Sequence, residues 1–493
     1  MSARPKLGPA DYLAGLQCER RLWLTRREPE RAAGNVASVA AHLSRAGEIR
    51  RHAERLFPAA DIVDEKGHAE AVERTRSLLG DERVSAILGA AFQHLSLEIV
   101  ADVLERLPDG GWRLCQVTPS GRVSETDFDG IALALFALRG SGLHVPSAEI
   151  IHPDESYARG AAGIDWTAYF ARRDVTADVE FLLEDVPGQV ERFARLLDSP
   201  RRPDVEPSPH CRRPWACEFR AECLRGLPAD WLDLLPGLRS SRFHALREDG
   251  IARISDIPGD FPLRPGQALA RSAHRDGELA LASDLGDMLA GFGPPSDYLD
   301  FEAIAPVVPI YAGTRPDQVI PFGWSLHRLA EDGELVHRDF LARGSCDPRR
   351  EFAESLIACL AAVPRPIAVY SPFESRVLRD LALELADLAA PLERIRTRLR
   401  DLQPVVRDGI YHLEFRGSLS LKRVASALSP GFGYSDLRDV SDGGAAAETF
   451  ERIARGELDA REEERARAAL RAYCARDSEA LAVTHLALRQ LLE

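Results

Sequence analysis

Two blocks of mixed strand and helix pattern, separated by a stretch without strand signal, most constrain how this chain can fold. In the first block, alternating apolar residues in LEIVADVLERL (97–107) and GWRLCQVTP (111–119) predict paired strands, and the run from Ile131 to Leu138 predicts a helix. The second block opens with the strand YLDFEAIA, passes through an apolar strand at Ile367 to Tyr370 and ends in a long helix. Both blocks are typical of α/β domains.

The length of 493 residues is enough for two or three domains, each with its own core. The pattern assigns them to residues 1–225, 226–295 and 296–493. The middle segment contains LPGLRSSRFHALREDGIARISDIP, in which Gly237 and Gly250 fall at predicted turns. It resembles a helix-hairpin-helix element, which binds phosphates through turn amides and helix N-termini. A helical linker that packs two domains together is an equally supported interpretation.

Charge and hydropathy indicate which binding partners, nucleic acid or membrane, the chain can have. The net charge of −14 argues against a protein that coats nucleic acid nonspecifically, because such binding needs a surplus of Lys and Arg. It does not exclude a nuclease, whose metal-binding acids add negative charge to the chain. No apolar run reaches the roughly eighteen residues of a membrane span, and the first residues carry charges without a signal-peptide core. We expect a cytoplasmic protein without a membrane partner.

Acidic residues mark a candidate site in the third segment. In YLDFEAIA, Asp300 and Glu302 are two residues apart, so a strand places both on one face while Phe301 points into the opposite layer. In RAYCARDSEAL, Tyr473 and Asp477 are four residues apart and share one face of a helix. Each pair alone is more often a solvated face or part of an ion pair.

A third carboxylate, Glu374, follows the apolar strand IAVYSPFE. The order of Asp-x-Glu, Ser-Pro-Phe-Glu and Tyr-x-x-x-Asp resembles the DnaQ-like exonucleases, the DEDDy type of the RNase H-like superfamily. Asp401-Leu402 and SLSLKRVA fit the middle of that pattern, and the resemblance covers about residues 296–493. Such families usually have Asn and Asp in the second motif, where this chain has Ser371 and Glu374. The pattern also resembles a bacterial domain-of-unknown-function family, number 2779.

The resemblance implies an RNase H-like α/β exonuclease domain with a two-metal site. The implied ligands of two Mg²⁺ or Mn²⁺ ions are Asp300, Glu302, Glu374 and Asp477. Such ions activate a water and stabilise the leaving oxygen of a phosphodiester. The implied role of Tyr473 is to orient that water or help to deprotonate it.

Four of the eight cysteines lie at the two ends of the first segment, a distribution that indicates a shared thiolate site. Cys18 lies near the start of the first segment, and Cys211, Cys217 and Cys223 close that segment. One early and three late cysteines resemble the iron–sulfur staple of RecB-like nucleases, in which four thiolates hold a 4Fe-4S cluster. A Cys₄ zinc site and unliganded cysteines are the alternatives, although zinc knuckles usually have closer pairs. His210 is a further possible ligand or a neighbour. The remaining cysteines, Cys115, Cys346, Cys359 and Cys474, are predicted to be packing residues.

The same resemblance implies a PD-(D/E)XK-like α/β fold for residues 1–225. Asp102 fits its first metal ligand, but Gln116 and Thr118 stand where Glu and Lys are needed, and Ala134 stands where a Gln commonly binds nucleic acid. An amide is a poor Mg²⁺ ligand and threonine carries no ammonium group. We therefore expect a catalytically degenerate nuclease fold, unless another acid, such as Glu98, Glu105 or Glu125, has taken over as ligand.

These expectations combine into a metal-dependent nuclease. The favoured activity is 3′ to 5′ exonuclease action on DNA by the third segment, with RNA as an alternative substrate. The rival hypothesis is a noncatalytic iron–sulfur protein that binds nucleic acid or acts as a scaffold.

Overall fold

The computed structural model of the protein describes residues 5–33, 36–330, 333–361, 364–437 and 439–493. They form two compact units, the first made of Met1–Gly226 and Val307–Asp317, the second of Leu227–Pro306 and Gln318–Glu493. Both units combine helices with a mixed sheet, so the predicted α/β class is confirmed. Within the described ranges, no helix has the length and apolar character needed to cross a membrane.

The first unit is built on a six-stranded sheet in the order β1-β2-β3-β4-β5-β6. Strands β2, β3 and β4 are antiparallel, β4 and β5 are parallel, and β6 is antiparallel to β5. The strands are β1 (Asp61–Ile62), β2 (Ala86–His94), β3 (Leu97–Arg106), β4 (Trp112–Val117), β5 (Ser147–Pro153) and β6 (Phe170–Asp174). The helices are α1 (Pro9–Gln17), α2 (Glu19–Arg27), α3 (Val36–Ala53), α4 (His68–Leu79), α5 (Glu125–Gly140), α6 (Trp166–Tyr169), α7 (Thr176–Glu180), α8 (Val186–Asp198) and α9 (Arg220–Leu224).

Helix α5 is the crossover between the parallel strands β4 and β5. It starts at Ser124, whose backbone N–H donates to the Asp127 carboxylate in a capping box. Its apolar residues from Ile131 to Leu138 are almost all buried, in one core with α1 and α8. The predicted strand pair and helix of this block are therefore confirmed.

The second unit contains a five-stranded sheet and a two-stranded one. Its strands are β7 (Ala280–Leu281), β8 (Ser296–Ile304), β9 (Ile320–Leu329), β10 (Leu335–Leu341), β11 (Ile367–Val369), β12 (Leu399–Asp401) and β13 (Ile410–Tyr411). Its helices are α10 (Ser240–Glu248), α11 (Pro265–Asp276), α12 (Leu285–Leu289), α13 (Arg349–Leu360), α14 (Phe373–Glu384), α15 (Ala389–Arg396), α16 (Gln403–Gly409), α17 (Leu421–Leu428), α18 (Gly443–Ala454) and α19 (Ala460–Gln490).

The larger sheet has the order β10-β9-β8-β11-β12, so β8 is its central strand. The chain runs β8, β9 and β10 as an antiparallel meander, then places β11 parallel to β8 and β12 parallel to β11. On one face, Phe301 packs edge-on against Phe352 of α13, with ring centroids 4.9 Å apart. The prediction that Phe301 points away from the two flanking acids agrees with this packing.

Helix α19 packs against β8 and β9. The Asp459 carboxylate caps it by accepting from the N–H groups of Arg461 and Glu462. Its buried residues recur every three or four positions, as expected of a helix with one face against a sheet. Asp477 lies within this buried stripe, so the helix carries a carboxylate into the protein interior.

Two expectations about the chain are wrong. The middle segment was predicted to be free of strands, but β7 pairs antiparallel with β13, Leu281 opposite Ile410. A strand of two residues is too short to show an alternating pattern. Cys346 was predicted to be a packing residue, but it is exposed, while Cys115 and Cys474 are buried.

Candidate active site

Three carboxylates from distant parts of the sequence meet in the second unit. Asp300 and Glu302 come from β8 and Asp477 comes from α19, and one carboxylate oxygen of each lies within 4.8 Å of the others. Glu302 and Asp477 are 7% and 9% exposed. Among the residues that the structure describes, no other three His, Cys, Asp or Glu side chains bring ligand atoms this close. We call these three residues the acidic trio.

A β-bulge follows the second acid of the trio. Glu302 is opposite Gly323, whereas the next residue, Ala303, is opposite Pro321, so Phe322 has no residue opposite it. Bulges redirect side chains and occur often beside active sites. This irregularity ends the regular face of β8 directly after its two carboxylates.

Hydrogen bonds hold the Asp477 segment of α19 on the sheet. The hydroxyl of the next residue, Ser478, lies 2.7 Å from the Ser325 hydroxyl and 2.8 Å from Nδ1 of His327. Both partners belong to β9, and Ser325 is directly opposite Asp300 in the sheet. Buried polar contacts of this kind fix the position of the helix relative to β8 and therefore the distance between the acids.

Burial and mutual repulsion shift the pKa values of the acidic trio upward. Burial raises the pKa of Asp300 and of Glu302 well above the ordinary value, and the charge of Asp477 raises both further. Burial also raises the pKa of Asp477, while the nearby hydroxyls of Tyr434 and Tyr473 lower it. Oδ1 of Asp477 is buried without a hydrogen-bond partner among the described residues. Hard divalent cations prefer carboxylate oxygens, so the donor set could hold such an ion.

Glu374, the remaining predicted ligand, lies beside the trio rather than in it. It is in the first turn of α14, 3% exposed, and its Oε2 accepts a hydrogen bond of 3.4 Å from Ser371. Burial raises its pKa to about 7. Its charge also raises the pKa of Asp300.

Tyr473 lies one helical turn before Asp477 and is 3% exposed. Burial raises the pKa of its phenol far above 10, and the charges of Asp477 and Glu302 act in the same direction. The phenol is therefore protonated at neutral pH. It can donate a hydrogen bond.

Two residues near the trio were not singled out as site residues from the sequence. The ammonium Nζ of Lys422, in the first turn of α17, lies 4.5 Å from the ring centroid of Tyr473 and 4.8 Å from that of Tyr434. The available signal was the SLSLKRVA motif, which contains Lys422, but the motif gave no role for the side chain. Tyr434 had no signal, because its loop shows no periodic pattern.

The first unit brings the early and late cysteine segments together. Cys18 lies at the junction of α1 and α2. The preceding residue, Gln17, donates hydrogen bonds to the backbone oxygens of His210 (3.0 Å) and Trp215 (2.8 Å). Nε2 of His210 is 3.6 Å from the sulfur of Cys211. The predicted approach of the two chain segments is thus present in the structure.

The four thiols influence one another in pairs. Burial raises the pKa of Cys18, and Cys223 adds to the effect. Burial raises the pKa of Cys217 to about 12, with a contribution from Cys211. Within the described residues, no three of the sulfurs lie within 4.8 Å of one another.

An arginine pairs with Asp102, the residue that the sequence predicts as a first metal ligand in this unit. Asp102 is buried on β3, and its Oδ1 is 2.6 Å from Nε of Arg50. Its Oδ2 accepts a hydrogen bond of 2.8 Å from the N–H of Val117. The Gln116 amide oxygen accepts from the N–H of Asp102 at 3.2 Å. Both carboxylate oxygens of Asp102 therefore have polar partners within the protein.

The alternative acids of the first unit have other contacts. Glu98 is 3.9 Å from the ammonium of Lys6, and Glu105 forms ion pairs with Arg113 and Arg172. Glu125 is the first residue of α5. Among the described residues, none of these acids forms a close group of three ligands with Asp102.

Comparison with known proteins agrees with part of this picture. Residues 297–420 match the family model named Domain of unknown function (DUF2779). The match contains β8 from Asp297 onward, with two members of the trio, and α14 with Glu374, and it ends before Lys422 and α19. The predicted likeness to this domain family is therefore confirmed for that range. No protein in a search of curated proteins matches the chain.

Proposed function

We propose that the second unit is a metal-dependent nuclease that hydrolyses phosphodiester bonds at the acidic trio. The observation that carries the proposal is the approach of Asp300, Glu302 and Asp477 to within 4.8 Å, with a buried Asp477 oxygen that has no hydrogen-bond partner among the described residues. Uncompensated buried carboxylates are costly, so selection for binding a cation explains them better than selection for stability.

The topology supports an RNase H-like fold of the DEDDy exonuclease type. The central strand β8 carries the Asp-x-Glu pair, the strand parallel to it leads into Glu374, and the last helix carries Tyr473 and Asp477. The antiparallel second strand and the order β10-β9-β8-β11-β12 agree with the same fold. The resemblance also favours 3′ to 5′ action on DNA, with RNA as the alternative.

In this proposal Asp300, Glu302 and Asp477 hold the divalent cations, with Glu374 as the further ligand that the resemblance implies. A bound Mg²⁺ or Mn²⁺ would activate water and stabilise charge on the phosphate. The protonated phenol of Tyr473 donates a hydrogen bond that orients the attacking water. Its raised pKa keeps the phenol protonated and able to donate this hydrogen bond.

For the first unit we propose a degenerate PD-(D/E)XK-like fold closed by a 4Fe-4S cluster on Cys18, Cys211, Cys217 and Cys223. The pairing of Asp102 with Arg50 supports the loss of catalysis, because a guanidinium takes the place of a metal. The approach of the Cys18 segment to the late cysteine segment, through the hydrogen bonds of Gln17 to His210 and Trp215, supports a site shared by both ends of the unit. In this proposal the cluster is structural and joins the two ends of the fold.

The test is cleavage of end-labelled single- and double-stranded DNA and RNA by anaerobically purified protein with Mn²⁺. Asp300→Ala serves as the inactive variant, and Glu464→Gln, an exposed acid on α19, serves as the matched control. We expect a ladder of products with wild type and Glu464→Gln that Asp300→Ala does not give. Cleavage that persists in Asp300→Ala would contradict the site. No cleavage by any of the proteins would favour the noncatalytic binding or scaffolding role.

A further inference from the structure

Lys422 has an unusual environment for a lysine on a helix. Its ammonium lies over two aromatic rings, 4.5 Å from the ring centroid of Tyr473 and 4.8 Å from that of Tyr434. It also donates a hydrogen bond of 2.8 Å to the backbone oxygen of Ser441. A cation over a ring face within about 6 Å is attracted by the ring quadrupole. The side chain is thus held on three sides, whereas most surface lysines move freely.

The neighbours of Lys422 connect it to the acidic trio. Tyr473 is on α19 one turn before Asp477, and α17 packs directly on α19. The positive charge of Lys422 acts on Asp300, Glu302 and Asp477. The ammonium therefore contacts the ring of Tyr473 and is also close enough for its charge to act on all three carboxylates.

A second cation on the same helix has different surroundings. Arg423 donates to the backbone oxygen of Glu414 and lies 3.5 Å from its carboxylate. Within the part of the chain that the structure describes, Arg423 does not lie over an aromatic ring, and its charge is not among the main influences on the pKa values of the trio. The pair Lys422 and Arg423 thus offers a matched comparison within one helical turn.

We propose that Lys422 is a positioning residue that fixes the phenol of Tyr473 for the reaction by holding its ring against the ammonium. The expected change in kcat rests on the proposed nuclease function. The expected change in the position of the Tyr473 ring does not. Without the ammonium, the ring of Tyr473 loses the contact on one face and the phenol is less well oriented beside Asp477. Small losses of orientation lower the rate of the chemical step more than substrate binding.

The kinetic test uses Lys422→Met, Lys422→Arg, Tyr473→Phe and the double variant Lys422→Met/Tyr473→Phe, with Arg423→Met as control. We expect Lys422→Met to lower kcat about tenfold with KM within about twofold, a magnitude at the low end for a misplaced catalytic group. Lys422→Arg keeps a cation for the ring and should recover most of the loss. In the Tyr473→Phe background, Lys422→Met should lower kcat no further, because Lys422 acts through the hydroxyl that this variant lacks.

The structural test does not need activity. Tyr473 is replaced with 3-fluorotyrosine in the full-length chain, and its ¹⁹F signal is recorded without a divalent metal. We expect one sharp signal in wild type and Arg423→Met, and a second or broadened signal in Lys422→Met that Lys422→Arg restores. This result would stand even if the protein cleaves no nucleic acid.

Three results would overturn the inference. One is an unchanged fluorotyrosine signal in Lys422→Met. Another is a kcat of Lys422→Met equal to that of wild type. The third is a full further loss when Lys422→Met is added to Tyr473→Phe, because that would mean that the lysine acts independently of the phenol.

Discussion

Replacing Glu374 with Gln should make the metal-free protein more stable. Glu374 is 3% exposed, and burial raises its pKa from 4.5 to about 7. A carboxyl group with a raised pKa binds its proton more tightly in the folded state than in the unfolded state. Ionising it therefore costs stability, and this cost appears as the pH rises above 4.5 and is complete above about 7.

The magnitude follows from the two pKa values. At about 1.4 kcal/mol per pH unit, the difference between 4.5 and about 7 corresponds to about 3 kcal/mol at pH 8. Gln keeps an oxygen that can accept the 3.4 Å hydrogen bond from Ser371. We therefore expect Glu374→Gln to gain about 1 to 3 kcal/mol at pH 8, and little at pH 4.5, where the wild-type carboxyl group is largely protonated when folded.

The assay is urea unfolding of wild type and Glu374→Gln in EDTA at pH 8 and pH 5, with Glu464→Gln as the control for loss of an acid. The gain should be larger at pH 8 than at pH 5, and Glu464→Gln should match wild type at both. A variant that is less stable than wild type at pH 8 would refute the idea that this carboxylate is under electrostatic strain.

Three further predictions concern the surroundings of the site and the first unit. Ser478→Ala removes the bridge to Ser325 and His327 and should cost about 1 to 3 kcal/mol in urea unfolding; unchanged stability would mean that this network does not hold α19. Burial lowers the pKa of His485 to about 4, so its protonation penalty grows as the pH falls from 6.5 to 4. As the pH falls from 6.5 to 4, the free energy of unfolding of His485→Gln should therefore decrease less than that of wild type. An equal decrease in the two proteins would contradict this. Cys217→Ser should abolish absorbance near about 400 nm in anaerobic protein and lower the Tm of the first unit; retained absorbance would exclude Cys217 as a ligand.

The strands, the long helix and the acid positions could be predicted because each leaves a local pattern. Alternation in YLDFEAIA gives both the strand and the shared face of Asp300 and Glu302. Helical spacing gives the relation of Tyr473 to Asp477. These features depend on residues within one or two turns of each other, and short-range periodicity records them.

The contacts of Lys422 and Tyr434 could not be predicted because they depend on packing between distant segments. Lys422 reaches Tyr473 only because α17 packs on α19. The same limit applies to Arg50, whose ion pair with Asp102 joins a helix to a strand about fifty residues later in the chain. A single sequence records neither pairing.

The central claim is that the acidic trio performs phosphodiester hydrolysis. The most direct measurement compares wild type with Asp477→Asn for Mn²⁺-dependent release of labelled nucleotides from DNA, after urea unfolding has shown that both are folded. We expect release by wild type and a loss of at least about a hundredfold in Asp477→Asn, because the variant lacks one of the three proposed metal-binding carboxylates. Equal release by the two proteins would contradict it.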